Sequence, residues 1–598
     1  MEMQEIGGAS SSSAEAEMVR SPLISETQRN KGGFITMPFI IANEALARVA
    51  SIGISPNMTF YLMGEYRLRV ATATRILLLS SAAGNFIPVV AAIIGDSYLG
   101  RFLTVGLGSL FAFLGIALLW LTAMIPQARP PPCNQAIEKC SSATGGQMVL
   151  LLSCFALTNI GNGGLGCSLP FGADQVNRKD NPNNQRVLEM FFSWYYASSA
   201  VSVLIAFTAI VYVQDHFGWK LGFGIPAALM FLSTFLFFLA SPLYVKHKPT
   251  ASLVTGFARV IAAWYKNRKL DLPPKGSLGR YHIKEGSDVL APSDKLRFLN
   301  KACLIKDPEK DIAPDGSARN PWSLCTAEEV EQLKAIIKVI PLWSTGIMMS
   351  VNAQGSFPLL QAKSFNRHIT SSFEIPAGSM TVIVIAFIFV WIGIYDRILL
   401  PVASKIRGKQ VRISAKNRMG LGLFFFFLTM IVSAIVESKR RRTAIEEGHI
   451  DDPNAGVDMS VAWLFPALVL GAIAEAFNVI GQQEFYYSEF PGSMSSIATS
   501  LVGLGMAGGS LVTTAVFSLV DDITSRGGKE SWVSDNINRG RYDKYYWLLV
   551  IIQGVNLLYY LICSWLYGPT SDQLPKENQE LASITEESGR GVKDEKEN

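Results

Sequence analysis

Charged side chains interrupt two apolar stretches of this chain, and charges inside apolar helices are usually kept for a function. Glu44 and Arg48 are four residues apart, so they share one face of a helix. Glu475 stands alone in a run of small and apolar residues. A carboxyl group in such surroundings can bind and release a proton, and the planar guanidinium group of arginine can hold a carboxylate or a small oxyanion. The pattern predicts proton-coupled movement of an anionic or zwitterionic solute, with the fastening of neighbouring helices as the alternative role.

Three further polar residues lie in the apolar run at residues 335–360. Asn352 and Gln354 either line a cavity or hydrogen-bond to a neighbouring helix. Lys338 lies near the start of the run, where its long side chain can reach water, so we assign it no role. Asn352 and Gln354 therefore join Arg48 as the predicted substrate-binding residues.

Several classes of function leave no trace in the sequence. A phosphate-binding loop, a dinucleotide fingerprint and a nucleophile–base pair are all missing, so we predict no enzyme and no cofactor. The seven cysteines form neither a C-x-x-C motif nor a cluster with histidine, so we predict no metal site. Cys133 and Cys140 share one short loop and either pair or remain free thiols. The net charge of +5 is spread over the loops without a basic stripe, so we expect no nucleic-acid partner.

The apolar residues must be concentrated in long runs, because they make up 49% of the 598 residues while only 17% are charged. Glu44, Arg48 and Glu475 lie within such runs. A helix needs about 20 apolar residues to cross the hydrocarbon core of a bilayer. Twelve runs reach that length, which predicts an all-α membrane protein of about twelve transmembrane helices. The runs are Met37–Met63, Ile76–Gly95, Phe102–Ile125, Met148–Pro170, Met190–Val213, Leu221–Val245, Ala335–Leu360, Ile375–Ile394, Met419–Val436, Val461–Phe485, Ile497–Val520 and Tyr546–Tyr567.

A polar stretch divides the runs into six and six. The predicted segments are a disordered cytosolic tail (1–35), a six-helix bundle (36–245), a cytosolic linker (246–334), a second six-helix bundle (335–568) and a disordered cytosolic tail (569–598). Near the start of the linker, apolar residues recur at helical spacing between lysines and arginines, which is typical of an amphipathic helix lying on a membrane surface. A calmodulin-binding helix is the alternative. The apolar positions are Leu253, Phe257, Val260, Ile261 and Trp264.

Lysine and arginine in the loops indicate the orientation, since basic loops stay in the cytosol. The linker and the loops after the fourth and eighth predicted helices are basic, and all three are cytosolic if both termini are cytosolic. One predicted loop disagrees, because Lys439, Arg440, Arg441 and Arg442 would lie outside. The majority favours cytosolic termini.

A charge pattern recurs at the ends of the second and eighth predicted helices. Asp96 and Arg101 follow the second helix, and Asp396 and Arg397 follow the eighth, 300 residues later. Parallel repeats of six helices indicate the major facilitator fold, in which substrate binds between the halves near the bilayer midplane. We predict that these residues form gating ion pairs that open and close during alternating access. Ordinary helix-end charges are the alternative.

Six motifs stand out in the chain: Asn43-Glu-Ala-Leu-Ala-Arg48, Asp96-Ser-Tyr-Leu-Gly-Arg101, Phe171-Gly-Ala-Asp-Gln175, Phe191-Phe-Ser-Trp-Tyr-Tyr196, Glu374-Ile-Pro-Ala-Gly-Ser379 and Gly481-Gln-Gln-Glu-Phe485. Together they resemble the plant nitrate transporter/peptide transporter family, the proton-dependent oligopeptide branch of the major facilitators. The resemblance runs from about Gly33 to Pro569 and is nearest to members associated with nitrate. It implies proton-coupled import of nitrate, di- or tripeptides, glucosinolates or plant hormones, with the plasma membrane favoured over the tonoplast.

The chain departs from the family's pattern at three places. The family's first-helix motif is E-x-x-E-R or E-x-x-E-K, and Ala47 replaces the second acid, which leaves Arg48 one counter-charge fewer and favours an anion. The family's fourth helix carries a base that pairs with the tenth-helix acid, but the matching segment Gly163–Cys167 has none, so Glu475 loses that partner. The best-known nitrate site uses a seventh-helix histidine, and the matching residue here is Asn352.

Thr104 matches a threonine whose phosphorylation tunes affinity in a nitrate-transporting member of the family. A kinase would then be a further partner of this chain. The alternative is that Thr104 is an ordinary helix residue.

Two hypotheses of different classes follow. The first is a symporter of protons with nitrate or another small anion, in which Glu44 and Glu475 couple protons and Arg48 holds the anion. Its partners are protons, the solute and the lipid bilayer; peptide or hormone transport and a weakly coupled facilitator are its variants. The second is a transporter-like sensor of nitrate or a hormone, which uses Thr104 or the amphipathic helix of the linker, here called the lateral helix, for output.

Overall fold

The computed structural model is almost entirely helical. It describes residues 32–131, 142–177, 184–246, 253–274, 280–283, 292–314, 316–351, 356–370, 373–409, 413–453, 455–490 and 494–569. The exception to the helices is an antiparallel hairpin of two short strands, β1 (His368–Thr370) and β2 (Phe373–Glu374).

In chain order, the α-helices of the described residues are α1 (Met37–Gly53), α2 (Met58–Gly64), α3 (Val70–Ile94), α4 (Arg101–Met124), α5 (Gly145–Leu165), α6 (Ser168–Val176), α7 (Asn184–Ile205), α8 (Val211–Leu239), α9 (Leu253–Asn267), α10 (Pro308–Asp311), α11 (Ala327–Gly346), α12 (Phe357–Ser364), α13 (Met380–Ile394), α14 (Leu400–Arg407), α15 (Ala415–Glu446), α16 (Phe465–Glu489), α17 (Ser495–Thr524) and α18 (Tyr542–Tyr567).

Ten helical stretches of the described residues are long and apolar enough to cross a membrane. The pair α1 and α2, bent by 42° at the break between them, supplies an eleventh crossing. One of the ten, Arg186–Leu239, is 54 residues long and is broken at Gly218, where φ is +79°. A stretch of this length is enough for two crossings. Counting it twice gives the predicted twelve, and the predicted all-α membrane fold is confirmed.

Proline and glycine explain where predicted runs and observed helices differ. The first run is interrupted at Ser55-Pro56, because proline disfavours helical geometry in the residue before it. The fourth run breaks at Gly166, between α5 and α6. In contrast, α3 begins at Val70, six residues before the predicted start at Ile76.

The chain forms two compact units. The first comprises Met1–Leu68 and Ile87–Thr250, and the second comprises Arg69–Phe86 and Ala251–Asn598. Helix α3 is therefore divided between the units, one residue before Pro88, which has no N–H for the helical hydrogen bonds.

Small and polar residues hold the helices of the first unit together. A Cβ on Gly161 would lie 2.2 Å from the backbone nitrogen of Ala112, so only glycine allows α5 to approach α4 this closely. Asn43 of α1 donates to Oγ of Ser233 on α8 at 2.8 Å, and Ser233 donates back to the Asn43 carbonyl at 2.8 Å. These reciprocal bonds fix the rotation of α1 about its axis at Asn43, and Glu44 is the next residue in the chain.

A fully buried ion pair holds the end of α15 in the second unit. Glu437 and Arg440 are both 0% exposed, and Nη2 of Arg440 lies 2.8 Å from Oε1 of Glu437. Asn538 accepts a second bond from Arg440 at 2.8 Å, and Gln361 donates to Glu437 at 2.7 Å. Both charges tolerate burial because each has an opposite charge and a further hydrogen bond.

The basic residues that disagreed with the predicted orientation do not form a loop. Residues 439–442 lie in the last turns of α15, which continues ten residues beyond the predicted end at Val436. Nζ of Lys439 lies 3.6 Å from the ring centroid of Trp463. Arg441 donates to the Gly540 carbonyl at 2.9 Å. The helix extends this far because these charges, like Arg440, find partners within the protein.

The linker packs a small core of its own against the start of α11. Val260 and Ala263 of α9 are buried beside Leu299 and Ala302 of the 3₁₀ turn Arg297–Cys303. Much of the apolar face of the lateral helix therefore covers protein, although its spacing had suggested a membrane surface.

Arg440→Ala should lower the stability of the protein by about 3–5 kcal/mol, because it leaves the Glu437 carboxylate buried without a counter-charge. The thermal unfolding midpoint in detergent measures this effect. Arg442→Ala is the matched control, since Arg442 is exposed in the same turn. A similar small shift for both variants would contradict the assigned role, and Glu437→Gln combined with Arg440→Met should recover most of the loss.

The linker thiols should resist alkylation in the folded protein. Cys303 and Cys325 are buried, and burial raises the pKa of each thiol to about 12. At pH 8 the reactive thiolate should be roughly a thousandfold scarcer than in an exposed cysteine, and it should increase as the pH rises toward 12. Mass spectrometry of iodoacetamide-treated peptides before and after unfolding measures this; rapid labelling of the folded protein at pH 8 would refute the burial argument.

Candidate functional site

Glu44 and Arg48 form an ion pair along α1. Arg48 donates from Nε at 2.9 Å and from Nη2 at 2.5 Å, both to Oε1 of Glu44. The Glu44 side chain is 5% exposed, whereas that of Arg48 is 37% exposed. The pair thus buries its carboxylate and leaves part of the guanidinium group open.

Tyr195 of α7 completes the surroundings of this pair. Its side chain contacts both Glu44 and Arg48, and it also contacts Ser168 at the start of α6. Tyr195 is buried, and a phenol can donate to a carboxylate or accept from a guanidinium group. Sequence reasoning did not assign Tyr195 a role, although it lies in one of the six motifs.

The segment that lacks the family's base is a break between two helices. Helix α5 ends at Leu165, and α6 begins after Gly166 and Cys167. A Cβ on Gly163 would lie 2.5 Å from a methyl carbon of Ile87, so the end of α5 is pressed against α3. The sequence places no basic side chain in this break, and the buried Cys167 stands there instead.

Glu475 lies on α16 of the second unit, with an exposed side chain. Within the described part of the chain, no salt bridge includes it. Gln482, two turns further along the same face, packs against α11, where a Cβ on Gly346 would lie 2.4 Å from its Nε2. The face of α16 that carries Glu475 is therefore the face toward α11.

Four residues singled out from the sequence lie outside the described residues. They are Asn352, Gln354, Cys133 and Cys140. Their assignments stay predictions.

A π-helical turn, Gly95–Leu99, carries Asp96 at the end of α3. Arg101 donates from Nε to Asp96 at 2.9 Å and from Nη1 to Asp174 at 2.8 Å. All three side chains are partly exposed. Arg101 thus holds α3, α4 and α6 together, and Asp174 is a partner that sequence reasoning did not assign.

The matching position in the second unit has the same π-helical turn but a different ion pair. A second π-helical turn, Tyr395–Leu399, carries Asp396 and Arg397, and such turns often occur at functional positions. Among the residues that the structure describes, neither of these two forms a salt bridge; Arg418 instead pairs with Glu484 at 2.6 Å. The repeat is therefore visible in the backbone, while the pairing of charges differs between the units.

Lys338 contacts a buried acid while 38% of its own side chain stays exposed. Its Nζ lies 2.6 Å from Oε2 of Glu489, which also accepts from the Tyr567 hydroxyl at 2.5 Å. Lys416 donates to the Gly568 carbonyl at 2.6 Å. These contacts bind α11, α15 and α16 to the end of α18.

Arg75 of α3 forms ion pairs inside the second unit. Its Nη2 lies 2.9 Å from Asp521 and 3.4 Å from Asp522, both on α17. Asp535 accepts from the backbone nitrogen of Val70 at 2.7 Å. The predicted helix started after Arg75, so sequence reasoning treated this residue as part of a loop.

Thr104 is buried on α4, and its hydroxyl donates to the Gly100 carbonyl at 3.0 Å. A Cβ on Gly95 would lie 2.8 Å from this hydroxyl oxygen. A kinase could reach Thr104 only after α3 and α4 separate locally. Its phosphorylation stays a prediction that requires such an opening.

Comparison with protein families and curated sequences gives consistent matches. The model of the POT family matches residues 102–533. Protein NRT1/ PTR FAMILY 1.2 of Arabidopsis thaliana is 56% identical over 585 residues, which cover 95% of this chain and 96% of that protein. Protein NRT1/ PTR FAMILY 1.1 of the same plant is 56% identical over 553 residues, which cover 92% of this chain and 93% of that protein.

Solved structures match in fold. The crystal structure of an auto inhibited POT family peptide transporter has a TM-score of 0.65 at 19% identity and covers 90% of this chain and 98% of its own. The in meso crystal structure of the POT family transporter PepTSo has a TM-score of 0.61 at 19% identity and covers 88% of this chain and 98% of its own. At these identities the likeness concerns the fold alone.

Asp96→Asn and Asp174→Asn should each cost at most about 1 kcal/mol of stability, because Arg101 keeps one carboxylate and the pairs are partly exposed. The double variant should cost more than the sum, since it leaves the guanidinium group unpaired among three helices. Thermal unfolding midpoints of the four proteins in detergent measure the difference. Strictly additive shifts would show that the two acids do not share Arg101.

Proposed function

Because the chain belongs to the POT family, we propose that it couples protons to the import of nitrate or another small anion across the plasma membrane. It is a multi-pass membrane transporter and not an enzyme. In this proposal Glu44 and Glu475 bind protons, and Arg48 binds the anion.

The geometry of Glu44 and Arg48 is the observation that carries the proposal. Both bonds of Arg48 go to one oxygen of Glu44. Within the described residues, Glu44 is the salt-bridge partner of Arg48. A proton on Glu44 removes this counter-charge and leaves the guanidinium group, already 37% exposed, free to hold an anion. Proton and anion then favour each other's binding, which is the coupling that symport needs.

Ala47 favours an anion of low charge. This residue is buried on the turn between Glu44 and Arg48. A glutamate at this position would add a second carboxylate beside Arg48, and it would compete with an anionic substrate for the guanidinium group. With alanine, protonation of one acid is enough to release Arg48, and a singly charged anion such as nitrate replaces the one charge lost.

Glu475 serves as a second proton-binding group. Its side chain is exposed, and no salt bridge of the described residues has to break before it takes up a proton. Its side of α16 faces α11, which leads into the segment that contains Asn352 and Gln354. A proton on Glu475 can therefore change the charge on the side of α16 that faces α11.

A sensor is the second candidate. Ala47 replaces one acid and the break between α5 and α6 carries no base, so two charges of the family's usual pattern are missing. A protein of this kind binds nitrate or a hormone without moving it efficiently. Thr104 or helix α9 would then provide the output.

Uptake into oocytes tests the roles of the charged residues. Labelled nitrate, a dipeptide and abscisic acid are offered at acidic and neutral outside pH. Arg48→Ala should reduce anion uptake by about tenfold or more, because it removes charge-assisted hydrogen bonds to the solute. Glu44→Gln imitates the protonated acid and should leave uptake less dependent on pH, and Glu475→Gln should weaken the pH dependence further.

Arg48→Lys and Arg442→Ala are the controls. The first keeps the charge without the planar fork, and the second changes an exposed arginine far along α15. Surface expression is measured for every variant. Uptake that is indifferent to outside pH and to Glu475→Gln would refute proton coupling, and surface expression without uptake of any of the three solutes would favour the sensor.

A further inference from the structure

Each of the two ring nitrogens of His282, in the linker, lies within hydrogen-bond distance of a backbone carbonyl oxygen. Its Nδ1 lies 3.3 Å from the carbonyl oxygen of Cys325, and its Nε2 lies 3.1 Å from the carbonyl oxygen of Gly316. A neutral imidazole carries one N–H group, whereas an imidazolium carries two. Because a carbonyl oxygen cannot donate, only the protonated ring can bond to both acceptors.

The ring is buried where the linker joins α11. The backbone nitrogen of His282 donates to the Cys303 carbonyl at 2.8 Å, and its carbonyl accepts from the nitrogen of Ala327 at 2.9 Å. Ala327 is the first residue of α11. Cys325 is buried, so its carbonyl would be shielded from water if the ring bond to it were lost, whereas Gly316 is exposed. Loss of the bond to Cys325 therefore destabilises the junction.

A second contact fastens the linker to the same helix. Glu331 accepts from both the backbone nitrogen and the hydroxyl of Ser293 at 2.8 Å. Lys334 donates to the Ser293 carbonyl at 2.8 Å. This contact contains no histidine, and it can hold the linker on α11 while the junction at His282 loosens.

The other ionisable groups around the junction differ from His282 in type. Burial raises the thiol pKa of Cys303 and Cys325 to about 12 and raises the pKa of Tyr281, so these groups stay neutral near neutral pH. Histidine is the side chain type that ordinarily changes charge between pH 5 and 8. Charged groups on the surrounding elements include Arg259, Arg297, Asp311, Glu329, Glu331 and Lys334.

We propose that His282 makes the linker a sensor of pH on the cytosolic side of the membrane. The protonated ring fastens the linker to the start of α11, and loss of the proton loosens it. The effect on transport rests on the proposed function, since a proton symporter acidifies the compartment that its linker faces. Helix α11 carries Lys338 and leads into the predicted substrate-binding segment, so its attachment affects the second bundle directly.

Hydrogen exchange of the full-length protein in detergent tests the sensor without a transport measurement. The exchange rates are first corrected for the intrinsic effect of pH. The amides of Cys325 and Ala327 should then be about tenfold better protected at about pH 6 than at about pH 8, as expected for one buried hydrogen bond. In His282→Gln the protection should be equal at both pH values. His368→Gln, which changes an exposed histidine of β1, should behave like the unchanged protein.

Equal protection at the two pH values in the unchanged protein would overturn the proposal, as would a pH dependence that survives in His282→Gln. If this variant does not fold, the contact of Ser293 with Glu331 supplies a control within the unchanged molecule. The Ser293 amide should show no corrected pH dependence while those of Cys325 and Ala327 do. A uniform loss of protection at all three would also overturn the proposal.

Nitrate uptake into proteoliposomes separates this proposal from the proposed function. The outside pH is held constant while the inside pH is varied. Because the inside pH also changes the proton gradient that drives a symporter, His282→Gln should keep the part of the response that the gradient causes and lose the remainder, so its response should be smaller than that of the unchanged protein. A response to inside pH that is equal in His282→Gln and in the unchanged protein would refute the link between His282 and transport. If the protein passes the exchange test but takes up no nitrate, the role of His282 as a pH sensor is supported and the symport of nitrate is refuted.

Discussion

A charge among membrane helices needs either an opposite charge or access to water, and this constraint organises the helices of both units. In the second unit, Glu437 and Arg440 close on each other at the end of α15 and fix its contacts with distant segments. Lys338 of α11 and Glu489 at the end of α16 form a second such pair. The helices can therefore extend beyond their apolar runs, because the charges that follow those runs are paired within the protein.

The pair of Glu44 and Arg48 on α1 is subject to the same constraint, but among the described residues it leaves part of the Arg48 guanidinium group without a partner charge. Arg440 is fully buried and has a carboxylate, an amide oxygen and a carbonyl as acceptors. Arg48 directs its two bonds to a single oxygen and remains partly exposed. The first arrangement is complete and favours one conformation, whereas the second has capacity for another anion. Pairing of the same two residue types thus serves stability in one place and suits binding in the other.

The sequence predicts contacts that are local and misses those that join distant segments. Twelve apolar runs predict the crossings because the bilayer sets their length, and a spacing of four residues brings Glu44 beside Arg48. The ends of the helices were less predictable, since α15 is prolonged by partners about 100 residues away in the chain, such as Asn538. Asp174, which lies 73 residues from Arg101, could not be found from spacing. Tyr195 lies in a recognisable motif, yet its contact with Glu44 depends on how α7 packs against α1.

Helix α3 is continuous in the chain but belongs to two compact units, with the boundary one residue before Pro88. Arg75 is encoded with the first six crossings, and its partners Asp521 and Asp522 are encoded near the end. A chimera that joins the first half of this protein to the second half of a relative would therefore bring Arg75 against foreign residues, even if the linker were exchanged intact. Recombination within the family is constrained by this short stretch of helix, so the two halves of the gene are expected to evolve as a coupled pair.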